Sequence, residues 1–176
     1  LRNSIKWLDK DTVLGMTPDC FKPKYENVRV IIDCTEFPIE VPSRVDHRVF
    51  TYSHYKKGFT AKVLIGCSPS GLITFVSPCA GGRKSDSQIT LESRLLNLLE
   101  DGDEVLADKG FPEIRTRIAE SGKSVLVVMP PFLSSHEFTQ KETEETSSIA
   151  NKMNLVTKTL PTELTDFFEG ATVSDK

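Results

Sequence analysis

Two aspartates follow short apolar segments that predict buried β-strands. Asp33 comes directly after the segment 28–32, and Asp108 comes directly after the segment 104–107. If these strands are neighbours in one sheet, their carboxylates meet at its edge and repel each other unless one is protonated or a cation lies between them. Mg²⁺ prefers oxygen ligands and accepts one or two carboxylates together with water and substrate phosphate. The pair therefore predicts a divalent-metal site suited to phosphoryl transfer, with two solvated strand ends as the alternative.

Three further segments carry groups that metal ions or phosphates bind. Asp86 is a candidate third metal ligand, but it also lies beside a predicted helix start, where the helix dipole favours a carboxylate. Arg83 and Lys84 follow two glycines, which allow close approach to the backbone. Lys56 and Lys57 lie among aromatic residues, as on surfaces that bind nucleic-acid strands. DNA contacts at these four basic residues are a hypothesis, and a simple Gly-Gly turn and an exposed loop are the alternatives.

Hydrophobic periodicity predicts the elements that must position these residues, in the order β-β-β-α-β-α-β-α. The predicted strands are 28–32, 59–66, 72–77, 104–107 and 124–129. Helices are predicted from Ser85, which matches a capping box with Gln88, to residue 101, from Pro112 to Gly122, and over 137–152. A meander followed by helix-linked strands implies an α/β fold with a mixed five-stranded sheet flanked by helices. The RNase H-like fold has this layout, although other α/β domains share it.

The 176 residues suffice for one compact domain with a hydrophobic core. We divide the chain into a helical or irregular lead-in (1–27), a central domain (28–150) and an irregular C-terminal tail (151–176). No apolar run is long enough to span a bilayer, so we expect no membrane partner. Residues 133–176 contain no arginine and twice as many acidic as basic residues, which makes them a poor partner for a phosphate backbone. The cysteines form no C-x-x-C pair, which argues against a zinc site.

Six short motifs follow one another along residues 25–150. They are Ile31-Ile32-Asp33-Cys34-Thr35-Glu36 with Pro42, Tyr52-Ser53-His54-Tyr55-Lys56-Lys57 with Thr60 and Lys62, Pro69-x-Gly71-x-Ile73-x-Phe75-Val76-Ser77, Gly81-Gly82-x-x-Ser85-Asp86, Gly102-Asp103-x-Val105-Leu106-Ala107-Asp108-Lys109-Gly110-Phe111, and Pro130-Pro131-Phe132. In this order and spacing, the series resembles Harbinger-type DDE transposases. Each motif is short, but together they make the resemblance specific.

The resemblance implies an RNase H-like nuclease domain and a metal-dependent DNA endonuclease and strand-transfer activity with Mg²⁺ or Mn²⁺. Asp33 matches the family's first catalytic aspartate and Asp108 its second, whereas Asp86 matches a family aspartate to which we assign no role. DNA, as transposon ends or target, is the implied partner, and the nucleus is the implied location, although no targeting signal is visible. A homo-oligomer, a separate DNA-binding partner and the question of enzymatic activity stay open.

The third acid of the family is absent from its expected position. It is a glutamate in a basic helix resembling Arg-Ile-His-Val-Glu-Arg, shortly after an Ile-Ala pair. Counting on from Ile149 and Ala150, Thr157 stands where this glutamate belongs, so we expect weak or no cleavage. One alternative is a domesticated DNA- or protein-binding module without nuclease activity. The other is an active nuclease that recruits a different glutamate, for which the candidates are Glu142, Glu144, Glu145 and Glu163.

Overall fold

The computed structural model describes residues 5–130 and 140–157, which form a mixed α/β fold. The strands are β1 (Val28–Pro38), β2 (Tyr52–Ser53), β3 (Gly58–Cys67), β4 (Ile73–Val76), β5 (Ala80–Gly81), β6 (Glu104–Ala107) and β7 (Leu126–Val128). The helices are α1 (Lys10–Gly15), α2 (Val45–Thr51), α3 (Asp86–Glu92), α4 (Leu95–Leu98), α5 (Pro112–Glu120) and α6 (Gln140–Thr157), and a 3₁₀ turn spans Asp19–Phe21.

The sheet is mixed and has β1 at its centre. β1 pairs antiparallel with β3 on one side and parallel with β6 on the other, and β6 pairs parallel with β7. The strand order is β2-β3-β1-β6-β7, and β4 and β5 also pair with β3. All five predicted strands are present, and the antiparallel meander and the central position of residues 28–32 are confirmed. The two-residue strands β2 and β5 bring the total in the described residues to seven.

The core has two halves, one on each face of the sheet, because side chains alternate along the strands. On the first face, Val30 and Ile32 pack with side chains of α3, α4 and α5, including Ile89, Leu95 and Ile114. On the second face, the buried cluster contains Ile31, Ile65, Leu106, the lead-in residues Phe21 and Tyr25, and Ile149 of α6. The first half of β1, residues 28–32, is therefore buried on both sides, as its β-branched residues predict.

The prediction that the first strand ends at Asp33 is wrong. β1 continues to Pro38 because β3 extends its antiparallel pairing along this half of the strand, from Asp33 opposite Ile65 to Pro38 opposite Thr60. Periodicity did not predict this extension because residues 34–38 form no continuous apolar run, and the hydrogen bonds of β3 maintain the extended backbone there. Asp33 therefore lies inside a strand, at the point where the parallel pairing with β6 stops.

Three predictions of secondary structure need correction. The helix predicted from Ser85 to residue 101 is two helices, because Arg94 adopts a left-handed conformation (φ 63°) between α3 and α4. The segment 34–58, predicted as a connection or hairpin, contains α2 and β2 as well as the second half of β1. Within the described residues, the helix predicted over 137–152 spans Gln140–Thr157 and so crosses the predicted domain boundary at residue 151, and residues 137–139 lie outside the described part of the chain.

The predicted starts of two helices are confirmed. Ser85 caps α3 through a complete capping box with Gln88, and Pro112 stands in the first turn of α5.

Among the residues that the structure describes, no helix combines the length and the apolar character needed to cross a bilayer.

Candidate metal centre

Asp33 and Asp108 lie at the same edge of the sheet. The last paired residues of the parallel strands β1 and β6 are Ile32 and Ala107, and the two aspartates follow them directly. In α/β sheets the ends of parallel strands form the usual ligand-binding edge. The neighbouring strands thus bring together two carboxylates that are 75 positions apart in the sequence.

The electrostatics of this edge show an excess of negative charge. Burial raises the pKa of Asp33 to about 6, and the charges of Asp108 and Asp86 raise it as well. The Cys34 backbone N–H donates to Asp33 Oδ1 at 2.8 Å and opposes this rise. A half-buried carboxylate that ionises reluctantly beside two others would gain from a nearby cation.

Asp33 projects from the face of the sheet on which α6 packs. It pairs across the strands with Ile65, whose side chain belongs to the same cluster as Ile149 of α6, and directly opposite residues share a face. Burial in that cluster raises the pKa of the Cys67 thiol, and the charge of Asp33 raises it further. The helix that carries the expected third-acid position therefore packs on the same face as the first aspartate.

Asp86 is the first residue of α3, where the sequence allowed either a capping or a site role. Its Oδ1 accepts a hydrogen bond from Lys62 Nζ at 3.0 Å. Its Oδ2 lies against Gly110, because a Cβ added to this glycine would come within 2.8 Å of that oxygen. Asp86 therefore contacts the turn that begins at Asp108, in addition to its favourable place at a helix N-terminus.

Lys62 connects three segments of the chain. Its ammonium group lies 2.9 Å from Glu36 Oε1, 3.0 Å from Asp86 Oδ1 and 3.1 Å from the carbonyl oxygen of Lys84. Glu36 also accepts a hydrogen bond from Ser53 Oγ at 3.0 Å. Burial by itself would lower the pKa of Lys62, but the hydrogen bonds to Glu36 and Asp86 outweigh burial and raise it. Lys62 therefore carries its charge throughout the neutral pH range.

An open cleft of about 590 Å³ runs beside this ion-pair cluster and reaches Asp108. Its lining includes three carboxylates and two lysines, and the described residues that form it are Cys34, Thr35, Glu36, Tyr55, Lys56, Lys62, Asp86 and Asp108. Asp33 is not part of this lining, although Thr35, two residues further along β1, is.

The structure separates the four basic residues that the sequence suggested as DNA contacts. Lys56 lines the cleft. Lys57 is exposed and has a positive φ of 53°. Arg83 is exposed beside α2, where its N–H donates to the Phe50 carbonyl. Lys84 forms an ion pair of 2.6 Å with Glu92, so Lys56 is the one of the four that the cleft brings beside Asp108.

Sequence reasoning assigned no role to Glu36, Ser53 or Lys62. The available signal was a single charged residue, Lys62, in the middle of the otherwise uncharged strand β3. A lysine that projects from a buried strand needs a partner, because an unpaired buried charge is costly. The sequence could not identify Glu36 as that partner, since the register that places them opposite each other forms only in the sheet.

Most candidates for the third acid lie outside the described parts of the chain. This holds for the side chains of Thr157, Glu142 and Glu145 and for the whole of Glu163. Glu144 is exposed on α6 and does not belong to the described lining of the cleft.

The two aspartates fit a divalent cation in part. The charge excess that raises the pKa of Asp33 favours a cation at this edge. Within residues 5–130 and 140–157, however, no group of three or more histidine, cysteine, aspartate and glutamate side chains is arranged to hold a metal ion. Two carboxylates would leave most of the six positions around Mg²⁺ to water and substrate, so the described residues fit one weakly held ion.

A mixed sheet with two aspartates at the point where the parallel pairing of β1 and β6 stops defines an α/β domain with an acidic edge. Residues 32–162 match the model of the DDE superfamily endonuclease family, which is well over half of the chain, and the chain therefore belongs to this family. Proteins of this superfamily generally use divalent metal ions. Comparisons with curated proteins and with solved structures found no match.

Proposed function

We propose that this chain is an RNase H-like nuclease domain of a Harbinger-type DDE transposase, or of a domesticated descendant, in which cleavage is weak or absent. The observation that carries the proposal is the position of Asp33 and Asp108, each directly after the last parallel pair between β1 and β6. The family membership supports a DNA phosphodiester as the substrate and DNA cleavage with strand transfer as the reaction.

The strand order supports the RNase H-like assignment. Without the two-residue strands, the order is β4-β3-β1-β6-β7, with antiparallel pairs among the first three strands and parallel pairs among the last three. This is the meander followed by helix-linked parallel strands that the sequence predicted. We take residues 28–150 as the nuclease domain, preceded by a lead-in (1–27) and followed by a tail (151–176), and note that α6 crosses the second boundary.

Asp33 and Asp108 would hold one Mg²⁺ or Mn²⁺ ion. When bound, such an ion polarises a phosphoryl oxygen and generates an attacking hydroxide or stabilises a leaving oxygen. The protein's own contribution is to hold the two carboxylates close together and to keep Asp33 half-buried, so that its charge is poorly neutralised without a cation. Lys56, at the wall of the cleft next to Asp108, is placed to contact a DNA phosphate.

The absence of the family's third acid limits the expected activity. Two-metal phosphoryl transfer uses ions about 4 Å apart, and each ion needs carboxylate ligands. Thr157 offers a neutral hydroxyl at the position where the family resemblance places a glutamate. We therefore infer that this chain binds one ion weakly and cleaves DNA poorly or not at all. Partners such as a second copy or a separate DNA-binding protein, and a nuclear location, follow from the resemblance alone and are part of the proposal.

A DNA- or protein-binding module without nuclease activity is the second candidate. The observation that favours it is the ion pairing of Lys62 with both Glu36 and Asp86, which leaves Asp33 and Asp108 as the two carboxylates for a metal. In this case the fold would be maintained for binding while the chemistry is lost.

Metal titration tests the site. Mn²⁺ broadens the NMR signals of residues close to it, so we expect selective broadening around residues 33 and 108 in the native chain. An Asp33→Ala, Asp108→Ala double variant should lose this broadening, and Glu92→Ala, which removes an exposed carboxylate on α3, should keep it. Broadening that persists unchanged in the double variant would exclude the site.

Plasmid nicking tests the chemistry. With Mg²⁺ or Mn²⁺ we expect little nicking by the native chain, and more by a variant that carries Arg-Ile-His-Val-Glu-Arg at positions 153–158. Asp108→Ala in that variant should remove the gain. Strong nicking by the native chain that disappears in Asp108→Ala would contradict the inferred loss of activity while supporting the family's reaction.

A further inference from the structure

We propose that Lys62 and Asp86 form a positioning pair that holds the turn carrying Asp108 in place, and that Asp86 is not itself a metal ligand. The inference rests on the proposed metal role of Asp108. It assigns a function to an aspartate for which both the sequence and the family membership leave the role open.

The hydrogen bonds of Lys62 support a positioning role rather than contact with substrate. An ammonium group has three N–H donors, and Lys62 Nζ lies within 3.1 Å of three acceptors, on Glu36, Asp86 and the carbonyl of Lys84. The lysine side chain is only 12 % exposed. Its donors are therefore satisfied inside the protein, and a phosphate would have to displace one of these acceptors.

The position of Asp86 argues against direct metal binding beside Asp33. Asp33 projects from the α6 face of β1, whereas Glu36 and Lys62 face the other side of the sheet. Asp86 is tied to this second side by its bond to Lys62. An ion held by Asp33 and Asp108 would reach Asp86 only through Oδ2, because Oδ1 accepts the hydrogen bond of the ammonium group and Oδ2 lies against Gly110.

The contact between Asp86 and Gly110 links the pair to Asp108. Oδ2 of Asp86 occupies the space in which a Cβ of residue 110 would lie. Gly110 does not adopt a left-handed backbone conformation, so close approach, rather than backbone geometry, accounts for a glycine here. The same turn is closed by a hydrogen bond of 3.3 Å from the Phe111 N–H to the Asp108 carbonyl. Asp86 therefore packs against a turn that fixes the backbone of Asp108.

Amide hydrogen exchange in the metal-free protein tests the proposal directly. The reporter is the Phe111 amide, and the amides of the central strand β1 serve as the reference for global unfolding. Loss of a hydrogen bond to a charged group should raise local opening, so we expect exchange at Phe111 to increase about tenfold relative to β1 in Lys62→Met and in Asp86→Ala. Glu92→Ala is the matched control, because Glu92 lies on the same helix as Asp86 and its loss breaks an exposed ion pair with Lys84. It should leave the ratio unchanged.

A double-variant cycle tests the contact with Gly110. Gly110→Ala changes no charge but places a Cβ against Asp86 Oδ2, so it should also raise exchange at Phe111. In the Asp86→Ala background this oxygen is absent, and Gly110→Ala should add little. Additive effects of the two substitutions, or an unchanged Phe111 in Asp86→Ala, would overturn the proposal.

Mn²⁺ binding separates positioning from ligation. A positioning role predicts that Gly110→Ala weakens Mn²⁺ binding about as much as Asp86→Asn does, since both disturb the turn. If Asp86 is a metal ligand, Asp86→Asn weakens Mn²⁺ binding while exchange at Phe111 stays at the native rate, and the proposal is wrong. Absence of Mn²⁺ binding in the native chain would contradict the proposed function, and the exchange experiment would still decide the role of the pair.

Discussion

Replacing Asp33 by asparagine should stabilise the protein at neutral pH, because the native carboxylate ionises at a cost. Burial and neighbouring charges raise its pKa from 3.8 to about 6. Between these values the folded protein binds more protons at this site than the unfolded chain does. Stability therefore falls as the pH rises from about 4 to about 6, and the loss is complete above that range.

The magnitude follows from the size of the pKa change. One pKa unit corresponds to about 1.4 kcal/mol, so the ionised Asp33 lowers the free energy of unfolding by about 3 kcal/mol at most. Asparagine keeps an oxygen that can accept the Cys34 N–H, although a neutral acceptor forms a weaker bond, and we expect a net gain of about 2 kcal/mol. For a chain of this size, that corresponds to about 4–8 °C in Tm.

Thermal unfolding followed by circular dichroism at pH 4 and pH 7.5 measures this effect. Asp33→Asn should raise Tm at pH 7.5 and leave it nearly unchanged at pH 4. The control is Asp11→Asn, because Asp11 is exposed in the first turn of α1 and its charge stabilises the helix. Its loss should lower Tm slightly at pH 7.5. Mg²⁺ should raise Tm of the native chain but not of Asp33→Asn. A lower Tm for Asp33→Asn at pH 7.5, or equal changes at both pH values, would refute the reasoning.

Three further predictions concern the loops around the cleft. Gly82→Ala should lower the free energy of unfolding by about 1–3 kcal/mol in urea titrations, because its Cβ would overlap the Thr60 hydroxyl in a buried turn; an unchanged midpoint would show that the turn can shift freely. Ser85→Ala should cost about 1 kcal/mol in the same assay because α3 loses its capping box, whereas Ser85→Thr should lose much less. If the domain binds DNA through Lys56, Lys56→Ala should reduce the slope of log affinity against log salt by about 0.9, and an unchanged slope in fluorescence anisotropy would remove Lys56 from the contact.

The elements predicted correctly are those whose signal is local. The capping box of Ser85 and the proline at the start of α5 depend on groups within a few residues of each other, so the sequence specifies them directly. Apart from Arg29, the strand 28–32 consists of β-branched apolar residues, which a position at the centre of a sheet buries. The sequence could place the two aspartates at one edge because each directly follows a buried segment, and neighbouring parallel strands carry such positions to the same edge of the sheet.

The features that the sequence did not reveal depend on pairing between distant segments. β1 extends beyond Asp33 because β3 pairs with it, and the break at Arg94 occurs inside a pattern whose apolar period continues without interruption. Local propensity predicts neither the strand extension nor the helix break, since these depend on hydrogen bonds from another strand and on packing against the sheet.

The sequence by itself determined the class of the fold, the two aspartates of the candidate site and the resemblance to DDE transposases. The family match supports this resemblance at the level of the DDE superfamily. Tertiary structure alone decided how the cluster around Lys62 is arranged, because Glu36, Lys62 and Asp86 come from two strands and a helix and meet only when the register of β1 and β3 is set. It also decided that Asp33 shares a face with α6 while Asp86 bonds to Lys62, which projects from the other face. The physical reason is that charge pairing and side-chain direction depend on strand register, and a one-residue change of register would turn every side chain of β1 to the opposite face.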